Sequence, residues 1–222
     1  MTRVLVKLGG RAAGDSVGLV LGRRAAGDEV VVVHGSGPQI TAELHARGLP
    51  VRFVDGRRVT DAATMTVVRA ASVGVGLELC GALGASARHL VGDEIGLEAE
   101  RVRELGFVGT PRPCHPAAVE DALAVSRVPV VTPVAVGPLN VNADEAATAL
   151  AAGLGAERVL FVSDVPGVCL GGSVLTQLHA DRATELLDAG AFEGGIVPKL
   201  LAAVRAARLG LDVEIGETAV VA

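Results

Sequence analysis

Tryptophan and tyrosine are absent from this chain of 222 residues, and phenylalanine occurs only four times. Stacking platforms for single-stranded nucleic acid are built on aromatic faces, so the composition argues against that class. Basic residues form nothing beyond short pairs such as Arg57-Arg58, and the net charge is −5. That balance is the reverse of a nucleic-acid footprint. The three cysteines, Cys80, Cys114 and Cys169, are widely spaced, and no Cys-x-x-Cys occurs. An odd, scattered set excludes a disulfide framework and leaves buried free thiols in a reducing cytosol. No His/Cys/Asp cluster has zinc spacing, so no protein-held metal is expected. The chain starts straight into a strand without a charged, apolar and small-residue leader. No apolar run is read as approaching a membrane span. The expectation is a cytoplasmic chain with neither nucleic-acid nor membrane partner.

Two further scarcities point toward chemistry. Lysine occurs twice, at Lys7 and Lys199, among 20 basic residues. Arginine replaces lysine readily on a solvated face, but not where a compact ammonium must fit beside an anion. Asparagine also occurs twice, at Asn140 and Asn142, two residues before Asp144. A helix N-cap needs one such residue, and three suggest a ligand at a helix mouth.

What is abundant is valine, leucine, alanine and glycine, with half the residues hydrophobic. Unbroken aliphatic runs suit a parallel sheet covered by helices. The length fits one large domain or two lobes sharing a sheet. Val4 to Leu8 reads as a strand ending in Lys7-Leu8-Gly9-Gly10. Val30 to Val33 is a second strand, ending in His34-Gly35-Ser36-Gly37 before a helix from about Gln39 to Arg47. Glycines after a strand let backbone N–H groups approach an anion. Neither junction is a Walker loop or a Gly-x-Gly-x-x-Gly, which leaves a Rossmann dehydrogenase weakly supported. Val51 to Val59 reads as a hairpin turning at Asp55-Gly56, with Arg57 and Arg58 near its tip. Asp61 to Leu83 is the longest helix, its small residues suited to close packing and to a second copy.

Between Ala87 and Gly109 two or three short strands are expected around Gly92-Asp93 and Gly96. His115 lies in a proline-rich loop. A helix from Ala117 to Ala124 and a strand from Val128 to Val134 lead into the Asn140–Ala156 motif. The strand Arg158 to Val162 ends in Ser163-Asp164-Val165-Pro166-Gly167. Glu193-Gly194-Gly195 precedes a helix that carries Pro198 and Lys199 in its first turn. A lysine there opposes the helix dipole unless an anion is present, which argues for phosphate. Open α/β sheets bind ligands at strand carboxyl ends, where all these pieces fall. Two ammoniums, a carboxylate and glycine amides have the chemistry for phosphoryl transfer.

At these residues the sequence resembles the amino acid kinase family, and within it the acetylglutamate kinases. The matching elements are VKLGG, VHGSGP, GRRVTD, LNVNADEAATALAAGLGA, VLFVSDVPGV and EGGIVPK. The resemblance implies an α/β fold, a three-layer αβα sandwich around a mainly parallel sheet. It implies a single domain whose N-terminal lobe, about 1–137, takes an acyl amino acid and dimerises. The C-terminal lobe, about 138–222, would take ATP, with Mg2+ carried by the nucleotide. Lys7, Lys199 and Asp144 then fall on catalytic positions, and Gly35, Ser36, Gly37, Arg58 and Asn140 on substrate contacts. Gly9, Gly10, Ser163, Asp164, Gly167, Glu193, Gly194 and Gly195 fall on the nucleotide side. The implied reaction is ATP-dependent phosphorylation of the side-chain carboxylate of N-acetyl-L-glutamate, by a homodimer. A carrier-protein-bound aminoadipate or glutamate kinase of the same fold, or a catalytically weak regulatory relative, are the alternatives. The sequence departs from the family at Ser36, where glycine is common, in a short first helix, and between Ile215 and Thr218, where relatives carry a further helix. No N-terminal extension of the kind that builds arginine-regulated hexamers is seen, so a dimer without that feedback is expected.

Overall fold

The computed structural model describes residues 1–9, 14–162 and 165–222. Strands β1 (Arg3–Leu8) and β2 (Glu29–His34) flank helix α1 (Gly14–Ala25). Helix α2 (Gly37–Ala46) follows, then the hairpin β3 (Phe53–Val54) and β4 (Arg57–Arg58), then the long α3 (Ala62–Leu83). Next come β5 (Ala87–Val91), α4 (Gly92–Ile95), β6 (Ala99–Arg101), β7 (Val108–Pro111), α5 (Ala117–Ala124) and β8 (Val128–Thr132). The short β9 (Val134–Ala135) and β10 (Leu139–Val141) precede α6 (Ala143–Gly153) and β11 (Arg158–Val162). The chain closes with β12 (Cys169–Leu170), β13 (Ser173–Val174), β14 (Gln177–His179), α7 (Ala180–Asp188), α8 (Ile196–Arg208), β15 (Asp212–Ile215) and β16 (Thr218–Val221).

Eight strands form the central sheet in the order β14-β16-β15-β11-β1-β2-β8-β5. All neighbours are parallel except β15 and β16, which the two-residue turn at Gly216-Glu217 joins as a hairpin. The α/β, mainly parallel expectation therefore holds. Alternation along β1 explains the three layers. Val4, Val6 and Leu8 pack with Val20 of α1 and with Val75, Leu79 and Leu83 of α3. Leu5 points the other way, into a core shared with α5, α6, α7 and α8. Lys7 shares the face of Leu5, which aims the one charged residue of the strand's buried stretch at α6.

Short strands flank Gly92-Asp93 and Gly96 as expected, β5 before and β6 after, with the one-turn helix α4 between them; a Cβ at Gly92 would meet the Val134 carbonyl. Two local expectations need correction. The strand expected to run to Val134 breaks at Pro133, and Val134 pairs instead in the small sheet β6-β7-β10-β9. The stretch Ala62–Ser86 is long and apolar enough to cross a membrane by length and composition, with mean hydropathy 1.4. It is the core helix α3, whose inner face is buried against the sheet and α2. Its N-cap is Asp61, whose side chain accepts from the Thr64 amide and whose carboxyl that bond holds below its ordinary pKa.

Candidate active site

The Asn140–Asp144 segment assigns separate work to each polar residue. Asn140 ends a strand pairing rather than starting the helix: it lies in β10, opposite Val108 of β7. Its Nδ2 donates to Thr60 Oγ1 at 3.1 Å, and Thr60 Oγ1 donates in turn to the Arg58 carbonyl at 2.7 Å. Asn142 is the N-cap of α6, accepting from the amides of Asp144 and Glu145 at 2.8 and 3.2 Å. Capping thus needs Asn142 alone, and Asp144 is left free in the helix's first turn. A carboxylate there is favoured by the helix dipole.

Asp144 Oδ1 lies 2.8 Å from Lys7 Nζ and 3.5 Å from Lys199 Nζ. All three residues are buried, at 6%, 7% and 5% exposure respectively. The two lysines of the chain converge on one carboxylate from β1 and from the first turn of α8. The anion that the Lys199 position called for is, in part, Asp144 itself. Burial lowers the Lys199 pKa, and the positive charge of Lys7 lowers it further, against the opposing pull of Asp144. Among the described residues two ammoniums face one carboxylate, which leaves a positive charge uncompensated.

Lys7 and Asp144 line a cavity of about 260 Å³, together with Gly35, Ser36, Gly37, Arg58 and Asn140. The five residues expected to hold an acyl amino acid are therefore brought together beside the Lys7–Asp144 pair. The hairpin β3–β4 roofs the cavity with Phe53, Gly56 and Arg57. Asp55 and Gly56 both have positive φ, 48° and 74°, as the expected two-residue turn demands. The arginines follow the turn directly, near the hairpin's tip as expected, and successive strand residues send them to opposite sides. Arg58 is 6% exposed, donates through Nη2 to Thr41 Oγ1 at 2.9 Å, and stacks on Phe53 with 4.6 Å to the ring centre. Its Nη1 is buried without a partner among the described residues. Burial lowers its pKa, yet guanidinium stays charged. Arg57 forms a two-pronged ion pair with Glu145 at 2.8 and 2.9 Å and donates to Thr110 Oγ1 at 2.8 Å.

Not every expected glycine amide is available. The Gly9 amide donates to Val162 O at 3.1 Å and that of Gly35 to Leu8 O at 2.8 Å, both extending the sheet. Gly167 is buried where a Cβ would sit 2.6 Å from Thr218 Oγ1, so its glycine also answers to packing. Glu193, Gly194 and Gly195 form the exposed approach to α8. Gly10, Ser163 and Asp164 lie outside the described residues. Several neighbours escaped the sequence reading. Glu145 gave no signal apart from its place after Asp144, and Ser72 none beyond being a hydroxyl in a mostly apolar helix. His34, His89 and Thr132 form a network, both imidazole Nε2 atoms meeting Thr132 Oγ1 at 3.1 and 2.9 Å.

A sequence profile of the amino acid kinase family matches residues 2–217. The chain belongs to that family. Among curated amino acid kinases, the acetylglutamate kinase of Ruegeria pomeroyi is 36% identical over 219 residues, covering 88% of this chain and 74% of its own. That of Saccharopolyspora erythraea is 40% identical over 239 residues, covering 94% and 77%. The crystal structure of smu.665 from Streptococcus mutans UA159 superposes with a TM-score of 0.86 at 25% identity, over 99% of this chain and 98% of that one. Giardia lamblia carbamate kinase bound to AMP-PNP shares the fold at a TM-score of 0.72 and 14% identity, over 99% and 98% of the two chains. This amino acid kinase thus has the expected sandwich and a small-molecule phosphotransfer chemistry.

Proposed function

We propose that this kinase phosphorylates the side-chain carboxylate of N-acetyl-L-glutamate, giving N-acetyl-L-glutamyl 5-phosphate and ADP in arginine biosynthesis. The observation that carries the reading is the buried Lys7–Asp144–Lys199 cluster, with Lys7 and Asp144 in the wall of a cavity that Arg58 also lines. Relatives named acetylglutamate kinase, 34–40% identical over most of the chain, support the same substrate.

One carboxylate oxygen of the substrate attacks the γ-phosphorus of ATP. The bond to the β,γ-bridging oxygen breaks, and its electron pair leaves with ADP. The attacking carboxylate is already ionised at neutral pH, so no protein base is required. His34, fully buried beneath the turn, is not positioned to be one. The protein's task is to hold reactants in line and to neutralise charge on the transferring group. Lys7, on the cavity side, meets the acceptor and the transferring oxygens; Lys199 meets the leaving phosphate. Asp144 positions both ammoniums, while Arg58 and Asn140 hold the substrate's remaining carboxylate. Among the described residues no acidic, histidine or cysteine cluster could hold a metal ion, and Asp144 is committed to two lysines. Magnesium enters as part of the MgATP substrate, the ordinary partner of a transferring phosphate.

The outward stripe of α3, with Ala63, Thr66, Ala70 and Leu77 exposed, supports a homodimer. Sedimentation velocity tests it, a monomer at micromolar concentration refuting it. The functional test is ADP release with MgATP and N-acetyl-L-glutamate, beside glutamate, aspartate and N-acetylaminoadipate. Turnover confined to N-acetyl-L-glutamate is expected. Equal turnover on another acyl amino acid, or none on any, overturns the reading.

A further inference from the structure

The inner face of α3 carries Ser72 and, one turn later, Gly76. A Cβ at Gly76 would lie against His89 Nε2 and 2.8 Å from Thr132 Oγ1, so the missing side chain lets the helix settle onto the sheet. That seating brings Ser72 Oγ to 2.6 Å from Ser36 Oγ. Both serines are buried, at 2% and 5% exposure, and both line the cavity that holds Lys7 and Arg58.

Ser36 is the N-cap residue of α2 but makes no capping hydrogen bond. A serine there ordinarily accepts from an amide of the first turn. Here the hydroxyl turns to Ser72 instead. Ser72 is equally unusual for a helical hydroxyl. Thr66, Thr148 and Thr184 each donate back to the carbonyl four residues earlier, whereas Ser72 meets only Ser36. Each hydroxyl owns one hydrogen and can accept as well. Two hydroxyls bonded to each other use one hydrogen and leave one over. Among the described residues neither oxygen has a second partner for it. A buried donor without an acceptor is costly, and a cavity wall is where a ligand relieves that cost.

The strand register says which end of a ligand lies there. His34 is paired with Leu8, and the Gly35 amide donates to Leu8 O at 2.8 Å. Ser36 therefore stands beside the end of the strand that carries Lys7. Arg58 meets α2 at Thr41 and, at 3.4 Å, at the Gly37 carbonyl. The hydroxyl pair lies at the strand end that carries Lys7, and Lys7 marks the phosphoryl-accepting end of the cavity.

We propose that the spare hydrogen of the Ser36–Ser72 pair is donated to the substrate carboxylate that receives the phosphoryl group. Ser36 is the contacting residue and Ser72 the positioning residue that fixes its rotamer. This rests on the functional reading above and adds a side-chain contact where a glycine would supply only backbone. A hydrogen bond to a charged acceptor corresponds to about a ten- to hundred-fold change in affinity.

The test is steady-state kinetics of Ser36→Ala, Ser72→Ala and the double variant. It is paired with calorimetric binding of N-acetyl-L-glutamate in the absence of nucleotide. Ser36→Ala should raise KM and Kd for N-acetyl-L-glutamate by about ten-fold or more, while KM for MgATP and the thermal midpoint stay near wild type. Ser72→Ala should give a smaller rise, and the double variant should be no worse than Ser36→Ala alone. Unchanged KM and Kd in an active Ser36→Ala enzyme overturn the contact, even if the midpoint falls. A parallel rise in KM for MgATP overturns it too, since that is general distortion. Wild-type enzyme that neither binds nor turns over N-acetyl-L-glutamate sinks the functional reading and this inference with it. The serine assignment fails alone when the wild type is active and the variant equals it.

Discussion

Acidification from about pH 7 to about pH 4 should weaken this fold through one imidazole in particular. His34 is 0% exposed. Burial lowers its pKa to about 4 from 6.5, opposed by a hydrogen bond to the Gly35 backbone and helped slightly by the neighbouring His89 charge. The unfolded chain accepts a proton near pH 6.5, and the folded chain refuses it until about 4. Between those values the unfolded state binds more protons, so stability falls as pH falls. The contribution is intact above pH 6.5 and fully lost below about 4. A shift of that size is worth about 3 kcal/mol. Urea unfolding of wild type and His34→Asn, at several pH values across the window, isolates the imidazole from the carboxylates that titrate alongside it. The variant is expected to be the weaker protein at neutral pH, because the ring's packing is lost. Its deficit should shrink by about 3 kcal/mol on reaching pH 4. A deficit that stays constant with pH would refute the reasoning.

Lys199→Arg keeps the charge but replaces a compact ammonium with a broad fork in a site that is 5% exposed. Turnover should fall by about a hundred-fold or more with KM for N-acetyl-L-glutamate little changed; unchanged kcat would remove Lys199 from the chemistry. Gly153→Ala drives a Cβ into the backbone of Cys114, which cannot yield as a flexible side chain would. A loss of about 2–4 kcal/mol in chemical denaturation is expected, and a loss under about 0.5 kcal/mol contradicts the packing. Arg57→Ala unties the hairpin from Glu145 and Thr110. KM for the acyl amino acid should rise several-fold while KM for MgATP holds, and equal effects on both would show the tether does not act on the substrate side.

Much of this was legible from rarity and spacing. Lys7 and Lys199 were singled out because the rest of the chain had abandoned lysine, and they meet at Asp144 as phosphoryl chemistry requires. Aliphatic runs ending in glycine located the central strands within a residue or two. What stayed hidden depends on contacts between distant segments. Nothing in the local sequence says that Ser72 will face Ser36, or that Thr132 will lie between two imidazoles. Those pairings follow from the helix register that Gly76 permits. In the Ala87–Gly109 stretch the short strands were legible, but not that the nearby Val134 carbonyl leaves no room for a Cβ at Gly92. β14 also went unread, since three residues on a sheet edge carry too little pattern to stand out.

Asp144 and Glu145 are consecutive residues on the one turn that Asn142 caps. The first carries both lysines and the second carries the roofing hairpin through Arg57. Roof and cations therefore share a single rigid mount. Any change at Arg57 or Glu145 is therefore expected to be felt one peptide bond away at Asp144, so a substitution made in the roof is also a test of the cation mount.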